Sequence, residues 1–304
     1  MNIDLERVLG NGRLLRALTS LDKAEFERLV TAFEIRWEAR RRRRNHAGER
    51  RQRAPGAGNQ GRLPSAAHKL LFILFYFKCY PLQEVMGLLF GFSQPQACEW
   101  VRRLTPLLNA ALGHEKQLPA RRPADLQAVL QECPELRELL IDGTERPLRR
   151  PGDKGRREKL YSGKKKRHTR KNVLMAGLAQ KRVLYLSPTR PGREHDKKVI
   201  EAAGVQFPRG CTLVKDTGFQ GYEPKGVLTL QPKKKPRGRE LSESWRLVNR
   251  AISSLRVRVE HVIASVKRCR IVLEPLRNWR RGFADRVMLG ACALHNLRLE
   301  MRAA

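Results

Sequence analysis

Near residue 136 the chain changes its hydrophobic period, and that change constrains the fold more than any other feature. Before it, apolar residues recur at helical spacing. Leu14, Leu15, Leu18, Leu21, Phe26, Leu29, Val30, Phe33 and Trp37 form one stripe across residues 14–44, running into Arg40–Arg44. After it come short apolar runs at Leu136–Ile141, Val173–Leu178, Val183–Leu186, Thr212–Val214 and Val227–Leu230. Two long helical stretches follow, 240–270 and 283–299, with a shorter one from Asp196 to Ala203. Strands first and long helices last predict a mixed α/β domain behind an all-α one. No segment repeats at a period of about 20–50 residues, which excludes solenoids and propellers.

Residues 40–64 are rich in Arg, Gly and Ala and read as a mobile basic arm. Ser65 is placed to cap a helix over 66–80. Pro81 opens a second helix, with Leu82, Val85, Met86, Leu88 and Leu89 apolar, that stops at Gly91. Ser93 caps a third, with Pro95 in its first turn and Ala97, Trp100, Val101 and Leu104 on its apolar side. Helix, glycine turn, helix predicts a helix-turn-helix. The polar side of the third helix offers Gln94, Gln96, Glu99, Arg102 and Arg103. Of these, Gln94, Gln96, Arg102 and Arg103 are candidate contacts to base edges and phosphates of double-stranded DNA. Two helices that merely pack together are the alternative.

The chain has 63 Lys and Arg against 30 Asp and Glu, a net charge of +33. That excess asks for a polyanionic partner, nucleic acid before anionic membrane, with binding that weakens steeply in salt. Residues 149–171 alone hold 12 Lys and Arg. Within them Lys164, Lys165 and Lys166 are candidate phosphate contacts, or else a solvated basic loop. The longest strongly apolar run, Leu70–Phe77, is closed by Lys69 and Lys78 and falls far short of the roughly 18–20 residues of a membrane span. The first residues lack a basic and then apolar leader, so a cytoplasmic protein is expected rather than a membrane or secreted one. Six cysteines lie scattered without a Cys-x-x-Cys pair, which suggests reduced thiols. No phosphate-loop signature occurs, so no nucleotide cofactor is expected.

Three acids stand out. Asp142 follows one apolar run and precedes Gly143; Asp216 follows another and precedes Thr217-Gly218; Glu260 sits in a long helix rich in Arg. Acids past strand ends lie where sheet proteins build sites. If the three converge they repel, and two divalent cations (Mg²⁺ or Mn²⁺) about 3.5–4 Å apart would neutralise them and activate water. At about 100° per residue, Arg256, Glu260 and Lys267 share one helix face, suited to a phosphate backbone. Surface ion pairing at the same spacing is the alternative. Glu145 is expected to be a surface or supporting acid. Asp196 is expected to cap its helix, or to lie near the metals. His168, His195, His261 and His295 show no ligand spacing.

Taken in order, these stretches resemble the DDE-superfamily transposases of bacterial insertion sequences, in the branch that joins an N-terminal helix-turn-helix to a DDE endonuclease domain. The resemblance runs through Lys69 to Leu104, Ile141-Asp142-Gly143-Thr144-Glu145, Tyr161 to Lys166, Ser187 to Asp196, Asp216 to Tyr222 and Arg256 to Lys267, most of residues 62–300. It implies a ribonuclease-H-like domain. Asp142 would lie on the first strand, Asp216 after the fourth and Glu260 on the helix after the fifth, as the catalytic and metal-binding acids. Related chains carry Tyr-x2-Arg-x3-Glu-x6-Lys; Arg256, Glu260 and Lys267 satisfy its last three members, and Ser253 stands where the Tyr would be. Asp216 lies 74 residues after Asp142 and Glu260 lies 44 after Asp216, which leaves no room for a large insertion domain.

The expected organisation is an N-terminal helix and basic arm over 1–61, a helix-turn-helix domain over 62–112, a connector over 113–135 and the endonuclease domain over 136–304. The resemblance implies a DNA transposase that binds terminal inverted repeats. It would catalyse metal-dependent strand cleavage and strand transfer by in-line phosphoryl transfer, as a homodimer or higher assembly on DNA. In a bacterial cytoplasm it would associate with the nucleoid through DNA. The alternatives are a non-catalytic helix-turn-helix regulator or decayed transposase, and a nuclease acting on RNA hybrids. The first has no use for the three acids together; the second leaves the helix-turn-helix unexplained.

Overall fold

The computed structural model describes residues 3–43, 61–236 and 240–303, with the single residues 50, 52 and 238 between them. The chain divides into two compact units. One comprises Met1–Leu118, Lys267–Glu274 and Arg286–Ala304; the other comprises Pro119–Val266 and Pro275–Asp285.

The first unit is helical: α1 (Leu5–Leu9), α2 (Gly12–Thr19), α3 (Lys23–Arg43), α4 (Ala66–Cys79), α5 (Gln83–Phe90) and α6 (Gln94–His114). The run Leu70–Phe77 lies on α4 and is buried on every side, as a helix apolar all round must be. Phe72 meets Phe90 of α5 edge-to-face at 4.9 Å. No helix among the described residues is long and apolar enough to cross a membrane. The single stripe expected over 14–44 splits into α2 and α3. Ser20 takes the left-handed conformation (φ 63°), and the Thr19 hydroxyl accepts from the Leu21 amide while donating to the Leu15 carbonyl. Asp22 and Glu25 then cap α3 reciprocally, each side chain accepting from the other's amide. Arg40–Arg43 continue α3 rather than begin the arm, and most of the expected basic arm (44–49, 51 and 53–60) lies outside the described residues.

The helix-turn-helix is α5 and α6. Gly91 ends α5 in the left-handed region (φ 72°), and Ser93 with Gln96 forms a capping box on α6, with Pro95 in its first turn. A Cβ at Gly87 would fall 2.6 Å from the Phe92 carbonyl oxygen, so the turn folds directly onto helix backbone. Gly87→Ala is therefore expected to lower the stability of this unit by about 1–3 kcal/mol, read as a lower melting temperature. An unchanged melt would show that the turn has room to give.

The second unit is built on one mixed sheet. Its elements are α7 (Pro123–Glu132), β1 (Glu138–Pro147), α8 (Lys154–Leu160), β2 (Tyr161–Ser162), β3 (Arg167–Gly177), β4 (Val183–Leu186), β5 (Arg190–Pro191), α9 (Asp196–Ala203), β6 (Cys211–Val214), β7 (Val227–Leu230) and α10 (Glu243–Val266). β3 pairs antiparallel with β1 along one edge and with β2, β5 and β4 in turn along the other. β1 pairs parallel with β6, and β6 parallel with β7. Across the sheet the five main strands run β4, β3, β1, β6, β7, three antiparallel and then two parallel, the ribonuclease-H-like arrangement. A last helix, α11 (Phe283–Ala303), belongs to the first unit from Arg286 onward.

Strand alternation assigns the two faces. Leu139, Ile141, Val173, Met175 and Leu213 share a core with Leu126 and Leu130 of α7 and Val199 and Ile200 of α9. Within 113–135, which the sequence marks only as connector, α7 thus closes one face of the sheet. The alternate residues, Leu140, Leu174 and Val214, are buried toward the other face. There α10 packs against β1 and β6 and buries Ile252, Val259, Val262 and Val266.

Candidate active site

Asp142 does not end its strand. β1 continues to Pro147 because Thr144 and Arg146, polar in sequence, are buried within it, and Asp142 sits mid-strand opposite Leu174 of β3. Alternation turns its side chain to the α10 face, with Leu140. The Gly143 amide donates to Asp142 Oδ1 at 2.7 Å. Burial pushes the Asp142 carboxyl up to about 6; the charges of Asp216 and Asp196 add to the rise, and the Gly143 amide and Arg256 oppose it.

Asp216 lies two residues past β6, at the head of a short turn over Thr217–Phe219. Its Oδ1 accepts from the Thr217 amide at 2.6 Å, and its backbone carbonyl accepts from Gln231 Nε2 at 2.7 Å. The preceding Lys215 is fully buried and donates to the Tyr222 carbonyl at 2.6 Å, which ties down the loop carrying the acid. Arg256 of α10 reaches Asp216 Oδ1 at 3.3 Å. The structure thus brings Asp142, Asp216 and Arg256 into mutual electrostatic range.

Glu260 follows Arg256 by one turn, about 40° around the same helix, with its side chain exposed. Lys267 lies one residue past the end of that helix. α10 ends at Val266, and the chain turns at Lys267 so that Cys269, Ile271 and Val272 can be buried in the first unit. The helical arithmetic therefore stops one residue short of this lysine. Ser253 is exposed on α10.

Two further acids belong to the opposite face. The cap of α9 is His195, not Asp196. Asp196 instead accepts from Lys171 Nζ at 3.0 Å, and its carboxylate covers Gly143, where a Cβ would stand 2.6–2.8 Å from its Cγ and oxygens. The Glu145 side chain is largely covered, accepting from Thr169 Oγ1 at 2.6 Å and lying 3.6 Å from Lys171 Nζ. Glu145, Gly143 and Lys171 all point away from Asp142 by strand alternation, so this ion cluster clamps α9 onto the sheet. It explains why the residue after Asp142 has no side chain.

Among the described residues no three His, Cys, Asp or Glu side chains stand grouped to hold a metal ion. The donor chemistry at the α10 face nevertheless fits a hard divalent cation. Asp142 and Asp216 offer only oxygen, and Asp142 carries the unfavourable proton affinity that a bound cation would reverse.

The candidate DNA contacts are scattered through both units. On α6, Gln94 donates to Gln83 Oε1 at 2.7 Å, and Gln96 is occupied in the capping box. Arg102 and Arg103 both bind Glu99, and Arg103 also lies over the Trp100 ring. Lys164, Lys165 and Lys166 are exposed in the tight turn joining β2 to β3.

Comparison with known proteins bears on the family of the chain. The profile described as DDE superfamily endonuclease matches residues 141–296, and the one described as helix-turn-helix of DDE superfamily endonuclease matches residues 61–113. Over 260 residues the chain is 29% identical to a probable transposase for insertion sequence element IS702 from Microchaete diplosiphon, covering 84% of this chain and 88% of that relative. No solved structure matches.

Proposed function

Because the chain belongs to the DDE superfamily endonucleases, we propose that it is a DNA transposase that binds the terminal inverted repeats of its own element and cuts and rejoins them. The observation that supports this most is the meeting of Asp142, Asp216 and Arg256 on the α10 face of a ribonuclease-H-like sheet, with Glu260 one turn along the same helix. Asp142, Asp216 and Glu260 would hold divalent cations, Mg²⁺ or Mn²⁺, which when bound supply charge neutralisation at the phosphate and an activated water.

The protein's own groups do the rest. Arg256 holds Asp216 in place and lies where a scissile phosphate would bring negative charge. The exposed Lys164–Lys166 turn takes the flanking backbone, and Lys267, just past the end of α10, contacts phosphate. The helix-turn-helix supplies Gln94, Arg102 and Arg103 for the duplex, with Gln96 closing the N-terminus of α6 behind them. Strand cleavage and strand transfer are both in-line displacements, first by water and then by the freed 3′-hydroxyl, with no covalent protein intermediate. Bringing two element ends together calls for at least two copies of the chain on DNA.

The test is cleavage of a duplex carrying the element's terminal repeat, with and without Mg²⁺, by wild type and by Asp142→Asn, Asp216→Asn and Glu260→Gln. Wild type should cut, and each variant should bind the end without cutting it. Cutting at the wild-type rate by Glu260→Gln would remove it from the site. Specific binding without cutting by wild type would leave a non-catalytic DNA-binding protein.

A further inference from the structure

The basic run over 149–171 does more than carry charge: it folds around a cavity that the reading above leaves unused. An open hollow of about 840 Å³ lies between α8, the β2–β3 hairpin and the loop before α9. Its walls include Arg150, Lys154, Arg157 and Arg193, the Tyr161 ring and His168; Glu158 is the one acid among the lining residues. None of those four cations has an ion-pair partner among the described residues. Comparable arginines elsewhere are neutralised by nearby carboxylates: Arg102 and Arg103 by Glu99, Arg122 by Asp125, Arg190 by Glu194. Four cations without carboxylate partners around one open hollow make a place of positive potential that favours an incoming anion. The hollow also has an aromatic wall. Tyr161 is 42% exposed and meets His168 edge-to-face, with centroids 5.6 Å apart, so that one of the two rings spends only its edge on the other.

We propose that this cavity receives one unpaired nucleotide of a DNA strand, its base against Tyr161 and its phosphates among Arg150, Lys154, Arg157 and Arg193. A paired base shows only its edges, so an aromatic wall recognises it once it is unpaired. The volume suits a single nucleotide, within the roughly 300–1,000 Å³ of small-ligand pockets. Position along the sheet suits a strand that also passes the acids. His168 and Leu174 are six residues apart on β3, and Leu174 lies opposite Asp142. That is about 20 Å along a strand, or about six nucleotides of B-form rise. The nucleotide held here would thus lie within about six positions of the bond to be cut. This inference rests on the transposase reading for its ligand, yet it concerns binding alone and can be tested without cleavage.

The experiment measures binding of the full chain in EDTA. The probes are a duplex ending in a short single-stranded tail that carries 2-aminopurine, the same duplex with a blunt end, and thymidine monophosphate as competitor. Wild type should prefer the tailed duplex by about tenfold and quench the 2-aminopurine. Tyr161→Ala should lose both the preference and the quench while still binding the blunt duplex. Tyr161→Phe, which keeps the ring, should retain them, which separates stacking from misfolding. Arg193→Ala should weaken the tailed duplex more than the blunt one. Equal affinity of wild type for tailed and blunt duplex, or an unchanged preference in Tyr161→Ala, would overturn the proposal. So would competition by thymidine monophosphate as effective as by the tailed duplex, because the site would then serve free nucleotides. Loss of Mg²⁺-dependent cutting with the tail preference intact would refute only the catalytic reading.

Discussion

Asp142→Asn is expected to abolish strand cleavage, by about a thousandfold or more, and at the same time to make the metal-free protein more stable at neutral pH. The two effects share one cause. Asp142 lies inside β1, desolvated and in range of Asp216 and Asp196, and its carboxyl is pushed up to about 6 from an ordinary 3.8. The folded chain therefore binds this proton more tightly than the unfolded chain does. The stability associated with it is fully present below about pH 4 and is lost as pH rises through about 6. A rise of about two units corresponds to roughly 3 kcal/mol at pH 7. Asparagine carries no charge and avoids that loss. Melting curves in EDTA should show the variant and wild type alike near pH 4 and the variant higher at pH 7. A variant that melts lower than wild type at pH 7 would show that the buried charge is not strained. The pairing of lost activity with gained stability is what a site held ready for a cation entails, since the cation offsets the cost of bringing the carboxylates together.

How much of this could be read from the sequence depended on how local the signal was. Ser65, Ser93, Pro95 and Gly91 mark helix ends through contacts within four residues; Ser65, Ser93 and Gly91 are caps in the structure, and Pro95 lies in the first turn of α6. Asp216 is visible because β6 stops two residues before it and Thr217-Gly218 begins a turn. Asp142 is harder. The apolar run ends at Ile141, but the strand continues through Thr144 and Arg146, whose burial depends on partners in β3 and beyond. The face of Asp196 is likewise set by register, through Lys171 opposite Glu145, and no pattern along one segment reports it. Arg102 and Arg103 look like free base readers in the sequence. Their i,i+3 and i,i+4 spacing from Glu99 was nonetheless a signal that they would be paired. The end of α10 at Val266 was not local either: it follows from the burial of Cys269, Ile271 and Val272 in the first unit.

Arg146 shows how far a basic chain can mislead. Among 63 Lys and Arg it looks like one more contact for phosphate. It is buried instead, at 3% exposure, on the same face of β1 as Asp142. Its Nη1 donates to the Ala284 carbonyl at 2.5 Å, and its Nη2 donates to Asn172 Oδ1 at 2.5 Å and to Thr189 Oγ1 at 3.1 Å. Asn172 in turn donates to the Ser187 carbonyl, and Thr189 donates to Asp285, which Arg121 grips with two bonds. One guanidinium thus joins β1, β3, the segment after β4 and the start of α11. Arg146→Ala would leave a buried carbonyl and a buried amide oxygen without their donor, and should cost about 3–5 kcal/mol, a large part of a typical domain's stability. Arg146→Lys should recover little, because a point charge cannot span three acceptors held by a planar fork. Urea denaturation measures both, and a loss below about 1 kcal/mol would contradict the network's role. A second measurement separates the two readings of this residue. At a temperature where the variant stays folded, the salt dependence of DNA binding should keep its wild-type slope. An arginine placed on phosphate would instead lower the slope by about one on removal.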